Sequence, residues 1–466
     1  MKKVKKYMDK SGITLIALVV TIVVLLILAG ITISLVFSDN GIIAKAREAS
    51  EKTNQATIDE QAEMNKVTDY MNNMLNGASG GNTTPEEPEE PEEPTIPLPS
   101  DGSYSEEKGV NTPNLGEGMT PIKWDETASE WIDTEGSDRE WYDYENKEWA
   151  NARTSDGSIW VWIPRYAYSI TSGYHSNSVG TIEIEFMKGI SDETSTGRTT
   201  FQNASGQGNW NIHPAFTYGE KISGIWVAKF EASRSDATSS SVGSSNTIKV
   251  QPGVSSWRNI TVNDIYTNCL NYNTTLNSHM MKNDEWGAVA YLSKSIYGKN
   301  DEVTINNNSS YCTGGGSGNT YVTNAAQSTT GNVYGIYDMS GGAWEYVAAY
   351  VNNGKSSLTE YGSSLISGNE MTKNIYTKSS SENTTNDYNA NSGIYGDAIY
   401  ETSSNSSAPW NLAWYNDYSS FPSSFVPFFR RGGGYSDTTK AGVFYFGSSD
   451  GSDTEEGSFR PTLVVF

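Results

Sequence analysis

The chain is poor in the residues that most metal and nucleophile chemistry needs. Its 466 residues include two cysteines, Cys269 and Cys312, and three histidines, His175, His213 and His279. Two cysteines exclude a disulfide framework and a four-cysteine zinc site. The histidines are far apart in sequence, so there is no HxxxH-type metal pair. Basic residues are also scarce: 32 Lys and Arg stand against 55 Asp and Glu, a net charge of −23. Phosphate binding needs clustered Lys and Arg, so nucleic acid is excluded as the main partner. Apolar residues make up only 36% of the chain, yet aromatics reach 12%. Disordered chains are poor in aromatics, so this one is expected to build a core. The 44 glycines, with many Asn, Ser and Thr, point to a fold rich in turns and loops. Beyond residue 37 no apolar run is long enough to span a membrane, and no repeat recurs at a fixed period. At about 150 residues per domain the length suggests two to four units.

The N-terminus has what the rest lacks. Residues 1–12 carry Lys2, Lys3, Lys5, Lys6 and Lys10 against Asp9, a net +4 that leaves the remainder at −27. From Ile13 to Phe37 no residue is charged. Such a run can cross a hydrocarbon core of about 30 Å, and the lysines before it hold the N-terminus in the cytoplasm. The expectation is a single-pass cell-membrane protein with residues 38–466 outside; a buried core helix is the alternative. The block Ser11-Gly12-Ile13-Thr14-Leu15-Ile16-Ala17-Leu18 resembles the N-terminus of type IV prepilins. The resemblance implies cleavage between Gly12 and Ile13 by a prepilin peptidase, methylation of Ile13, and other pilins as partners. The chain departs from that family at Ala17, where most pilins carry a Glu that docks subunits. A plain uncleaved anchor is the other reading.

Residues 38–76 are expected to form a helical stalk. Ile43, Ala46, Ala49, Ala56, Ala62, Val67, Tyr70, Met71 and Met74 recur with loose helical spacing. With the apolar span they could make one rod of about 95 Å. Residues 77–100 read as a linker. It opens Gly/Ser/Asn-rich and continues as PEEPEEPEEPTIPLP from Pro85 to Pro99, a stiff charged spacer. The head, 101–466, shows short aromatic runs bounded by turns: Ser158–Tyr168, Thr181–Phe186, Gly224–Ala232 and Thr462–Phe466. One helix is expected, with Asn283 as its cap, Asp284 and Glu285 in the first turn, and Trp286, Val289, Ala290 and Leu292 as apolar positions. The fold class expected is α+β: a long N-terminal membrane and stalk helix, then an irregular β-rich domain.

Four head segments carry a second resemblance. Asn332–Val347 (NVYGIYDMSGGAWEYV), Met281–Ala290 (MKNDEWGAVA), Arg431–Tyr435 (RGGGY) and Ser458–Pro461 (SFRP) occur in this order. Together they resemble the signatures of the formylglycine-generating enzyme family, which has a C-type-lectin-like fold. The resemblance covers 155–466 and leaves 101–154 as an N-terminal extension of the head. Oxidase members hold copper with cysteines between "RGG" and "GFR". Here that interval, Tyr435–Ser458, has none. Neither Ser nor Asp replaces a thiolate, so the family's known activities are not expected and no cofactor is required. The family also implies a structural Ca²⁺ at Gly341, Ala343 and Glu345, chemistry that oxygen ligands suit. The alternative is Glu345 bonding backbone amides as a staple of the fold. Cys269 and Cys312 either pair as a disulfide or serve as small buried hydrophobes. Arg430-Arg431 either binds an anion or supports the fold. Gly447-Ser448-Ser449-Asp450-Gly451 formally matches GxSxG, but no strand–turn–helix context is evident.

The remaining asset is the C-terminal loop surface. Trp410, Trp414, Tyr415, Asn416, Asp417, Tyr418 and Phe421 form one cluster, and Tyr435, Ser436, Asp437, Phe444, Tyr445, Phe446, Ser448, Ser449 and Asp450 a second. Rigid aromatic rings beside small hydrogen-bonding residues are paratope chemistry; core packing or plain exposed loop are the alternatives. This segment also resembles the variable proteins of diversity-generating retroelements, whose lectin-fold ligand sites are rich in Tyr, Asn, Ser and Asp. Three functions follow in order: a surface-displayed protein that binds a protein or glycan ligand, a minor pilin without a specific ligand, and an enzyme of unknown chemistry.

Overall fold

The computed structural model describes residues 98–405 and 413–466. The Gly12–Ile13 junction, the apolar span, the stalk, most of the linker and Trp410 lie outside the described residues. Those described form a mixed α+β structure. Among them no helix is long and apolar enough to cross a membrane.

The largest sheet has seven strands, in the order His279–Met280, Pro461–Leu463, Gly224–Ala228, Ile159–Pro164, Asn151–Thr154, Met119–Asp125 and Glu130–Asp133. Segment 101–154 is thus woven into the main sheet, and its Trp141 and Trp149 are fully buried. The strand Ile159–Pro164 is buried at every position, which its unbroken apolar run anticipates for a strand covered on both faces. The apolar run Ser158–Tyr168 reads as one strand, but the structure divides it. Pro164 has no N–H for the ladder. Arg165 then turns inward to the Phe216 carbonyl at 3.2 Å. The chain re-emerges as Tyr166–Ser172 in a three-stranded sheet with Thr181–Phe186 and Asn211–Ile212. Thr181–Phe186 alternates between solvent and core as its TIEIEF pattern requires. Its Glu185 pairs with Arg198 at 2.8 Å.

The helix Asn283–Ser293 forms close to where it is expected, but its cap lies one residue earlier. Lys282 occupies that position, and its N–H donates to Glu285 Oε2 at 2.9 Å, one half of a capping box. Asn283 is the first helical residue and donates to the Tyr376 hydroxyl instead. Every residue of this helix is buried, so it crosses the core rather than lying on it. Among the described residues four further α-helices, Val262–Tyr272, Thr320–Thr323, Ser356–Ser367 and Thr384–Ala390, are rich in Asn, Ser and Thr and were not expected from apolar spacing.

The second large sheet carries Asn374–Thr377, Trp344–Asn352, Phe428–Gly432 and Gly442–Ser449 side by side, with Gly457–Phe459 also paired to Trp344–Asn352. The four motif segments meet beneath it. Arg460 donates through Nε to Glu345 Oε2 at 2.7 Å, and its Nη2 reaches Glu345 Oε1. Its remaining N–H groups bond the carbonyls of Ala228 and Tyr337 at 2.9 and 3.0 Å. Arg431 donates to the carbonyls of Asp397 and Ala398 at 3.0 and 3.1 Å. Both guanidiniums stand within 6 Å of the Trp286 ring, and the Trp286 indole donates to the Val443 carbonyl at 2.8 Å. Gly432 lies against that ring at a φ of +81°, a conformation glycine adopts without strain.

Candidate functional site

The site is built at the outer edge of this second sheet. Strand Gly442–Ser449 is the last in the order, and its edge is covered by the chain before it. Phe446 N–H donates to Tyr418 O at 3.1 Å and Ser420 N–H to Phe446 O at 2.9 Å. The two sequence clusters are thereby stitched together. Between Phe428–Gly432 and Gly442–Ser449 the register slips: Arg431 pairs with Phe446, but Gly432 pairs with Gly442. Val443, Phe444 and Tyr445 therefore bulge, and a bulge re-aims side chains. Phe444 goes inward, tilted against Trp414 with centroids 5.1 Å apart. Tyr445 turns to stack on Tyr418 at 5.4 Å.

An open hollow of about 390 Å³ results. Of the residues expected to bind ligand, Tyr418, Ser436, Asp437, Tyr445 and Ser448 line it. Trp344, Arg430 and Lys440 complete the lining; of these, Arg430 was read as either binding an anion or supporting the fold, and Trp344 and Lys440 were not read as ligand-binding. Arg430 lies over the Trp344 ring at 4.0 Å. The Trp344 indole in turn donates to Asp437 Oδ2 at 2.5 Å, which also accepts the Gly434 N–H at 2.9 Å. Gly447 stands opposite Arg430 in the ladder, so that position adds no side chain to the surface beside it. Successive strand residues point to opposite faces. That rule separates the two arginines: Arg431 is fully buried against carbonyls, while Arg430 faces the hollow. It was the available signal for Arg430.

The other expected ligand residues lie elsewhere. Tyr415, Asp417 and Phe444 line a separate slot of about 10 Å³ with Asp301 and Glu302, room for about one water. Asp417 is buried; its Oδ2 accepts the Phe444 N–H at 2.9 Å and its Oδ1 has no partner. Burial, and then Glu302, push its carboxyl well above the usual range. Asn416 is exposed, in a left-handed turn with Tyr415. Tyr435 packs edge-on against Tyr311 at 4.9 Å. Ser449 is buried against the Tyr346 hydroxyl at 2.8 Å. Asp450 accepts the Ser452 N–H and hydroxyl at 3.0 and 2.7 Å, closing a local turn. Asp417, Phe444 and Ser449 are therefore interior residues. The bulge and the covered edge put them there, and neither follows from composition.

The cysteines do not pair. Cys269 and Cys312 are both free and buried, the first within Val262–Tyr272 and the second donating its thiol to Ser239 O at 3.3 Å. Burial pushes both thiols up, which keeps them unreactive. The one carboxylate of the calcium set is already engaged. Glu345 gives both carboxylate oxygens to Arg460, and the Ala343 N–H donates to Glu231 Oε1 at 2.9 Å. Gly341 donates its N–H to Gly432 O at 3.1 Å, tying two motif segments together. Among the described residues no group of three or more His, Cys, Asp and Glu side chains is placed to hold a metal. Ser448 and Ser449 end a strand that no helix follows, so they form no nucleophile elbow.

No protein-family model matches the chain, and no curated protein matches it in sequence.

Proposed function

We propose that this is a cell-surface binding protein. A pilin-type N-terminal helix anchors it, and a lectin-type head related to the formylglycine-generating fold holds a protein or glycan ligand noncovalently. One observation carries the reading: Tyr418 from the first sequence cluster and Ser436, Asp437, Tyr445 and Ser448 from the second line a single open hollow with Trp344 and Arg430. Tyr, Trp and Arg are the residues that dominate binding energies at interfaces, and rings fixed by stacking lose little entropy on binding. The meeting of the four motif segments around one buried ion pair supports the fold relationship. No catalytic role is assigned to the head.

The test is to display the full chain on lipid discs and measure capture of whole cells or phage. Ser448→Arg fills the hollow from a half-exposed position, leaving the core intact. Binding is expected to fall at least tenfold with the melting temperature unchanged. Undiminished binding would move the site elsewhere.

The retroelement reading has its own check. Population sequencing of the codons for residues 413–460 should find adenine substitutions concentrated at Tyr418, Ser436 and Ser448. Arg431, Gly432, Phe444 and Arg460 should stay constant, because they sit in the core. A uniform sequence, or variation spread evenly over core and hollow, removes the idea.

A further inference from the structure

The hollow has a sign opposite to that of the molecule around it. The chain carries −23, yet the basic side chains Arg430 and Lys440 both line this one depression. The only carboxylate in the lining, Asp437, has an oxygen already engaged by the Trp344 indole and the Gly434 N–H. Stacking on Trp344 at 4.0 Å holds the Arg430 guanidinium by its face, which leaves its in-plane N–H donors for a ligand. Its Nε is buried without a hydrogen-bond partner, and a buried donor left unpaired is costly. Ser436, Ser448 and Tyr418 line the same hollow, where the Tyr418 ring is stacked on the largely buried Tyr445.

We infer that the hollow receives the carboxylate-bearing ring of an acidic glycan, with Arg430 as the carboxylate's partner. The inference rests on the binding-protein reading above and names its ligand class. A planar guanidinium matches a carboxylate with two parallel hydrogen bonds. Small hydroxyl groups suit sugar hydroxyls, and the half-exposed Tyr418 ring, backed by Tyr445, suits a sugar's C–H face. The volume admits about one or two sugar rings. Peptide recognition by strand addition is blocked, because residues 418–420 already pair with the outer strand.

The experiment uses the full chain in lipid discs and three probes: a galacturonate tetramer, the same tetramer methyl-esterified, and a glutamate oligopeptide of equal charge. The acidic sugar is expected to bind at least tenfold more tightly than its ester and than the peptide. Arg430→Gln should erase that preference, so that acid and ester bind alike, and Arg430→Lys should restore part of it. Arg430 is half-exposed, so an unchanged melting temperature is expected and is the control for folding. Equal binding of acid and ester overturns the charge assignment. Preference for the peptide overturns the glycan assignment. If no probe binds while Ser448→Arg still abolishes capture of cells or phage, this inference fails and the binding-protein reading survives. If capture is also unaffected by Ser448→Arg, both fail.

Discussion

Arg460→Ala should unfold the head at far lower denaturant than the parent, by about 3–5 kcal/mol, the usual cost of stripping one partner from a buried ion pair. Domains are stable by only about 5–15 kcal/mol, so this one change takes much of the margin. Arg460 is completely buried. It bonds both oxygens of Glu345 and two backbone carbonyls from different segments. Without it, Glu345 is left as a lone buried carboxylate, its pKa already raised by burial and then by Asp338, and the carbonyls of Ala228 and Tyr337 lose a donor. Removing both charges together should cost much less. In an Arg460→Met, Glu345→Leu double variant the desolvation penalty of the pair disappears with its attraction. Urea unfolding followed by tryptophan fluorescence and far-ultraviolet circular dichroism gives the three free energies. If the double variant is as damaged as the sum of the singles, the ion-pair account is wrong and packing alone holds the motif segments together.

The second large effect is a pH slope of unusual sign. Glu401 is buried. Its Oε2 accepts the hydroxyls of Tyr168 and Tyr291 at 2.8 and 2.9 Å and the Gly396 N–H at 2.7 Å. Burial, with the nearby Asp397 adding to it, pushes its carboxyl up to about 7 against those hydrogen bonds. The folded state therefore holds the proton more tightly than the unfolded chain, whose Glu titrates near 4.3. Its contribution is complete below that value and is lost as pH rises through about 7. A rise from about 4.3 to about 7 corresponds to about 4 kcal/mol at 1.36 kcal/mol per unit. The head should thus lose stability between pH 5 and 8, whereas a domain whose acids are salt-bridged gains it over the acid range. Glu401→Gln keeps the shape and the acceptor oxygen, and it should flatten that part of the slope. Melting temperatures at pH 5, 6, 7 and 8 for parent and variant decide it; parallel curves would mean that Glu401 stays ionised in the fold.

Much of the local structure was legible in the residues. Alternation in Thr181–Phe186, the unbroken apolar run in Ile159–Pro164 and the acidic first turn before Trp286 each reflect a geometry with a fixed side-chain period. The helices rich in Asn and Ser were not legible, since tertiary packing can override weak propensity. The cap at Lys282 was missed for a related reason. Neighbours in space, here Tyr376 for Asn283 and Glu285 for the Lys282 N–H, chose between two adjacent candidates.

The candidate site divides along the same line. Composition alone picked out the candidate positions: aromatic, Ser and Asp residues in two C-terminal stretches of a chain with two Cys and three His. It also set the net charge against which a basic hollow stands out. Which of those positions share a surface was decided by long-range pairing. A register slip between Arg431 and Gly432 set Tyr445 against Tyr418 and Phe444 against Trp414, with both rings largely buried. The pairing of residues 418–420 with Phe446 brought Tyr418 to Tyr445. The stacking of Arg430 on Trp344 joined residues 86 positions apart. A side-chain period tells which face a residue takes within its own strand. It carries no information about the strand beside it, because register depends on bulges and turns elsewhere in the chain.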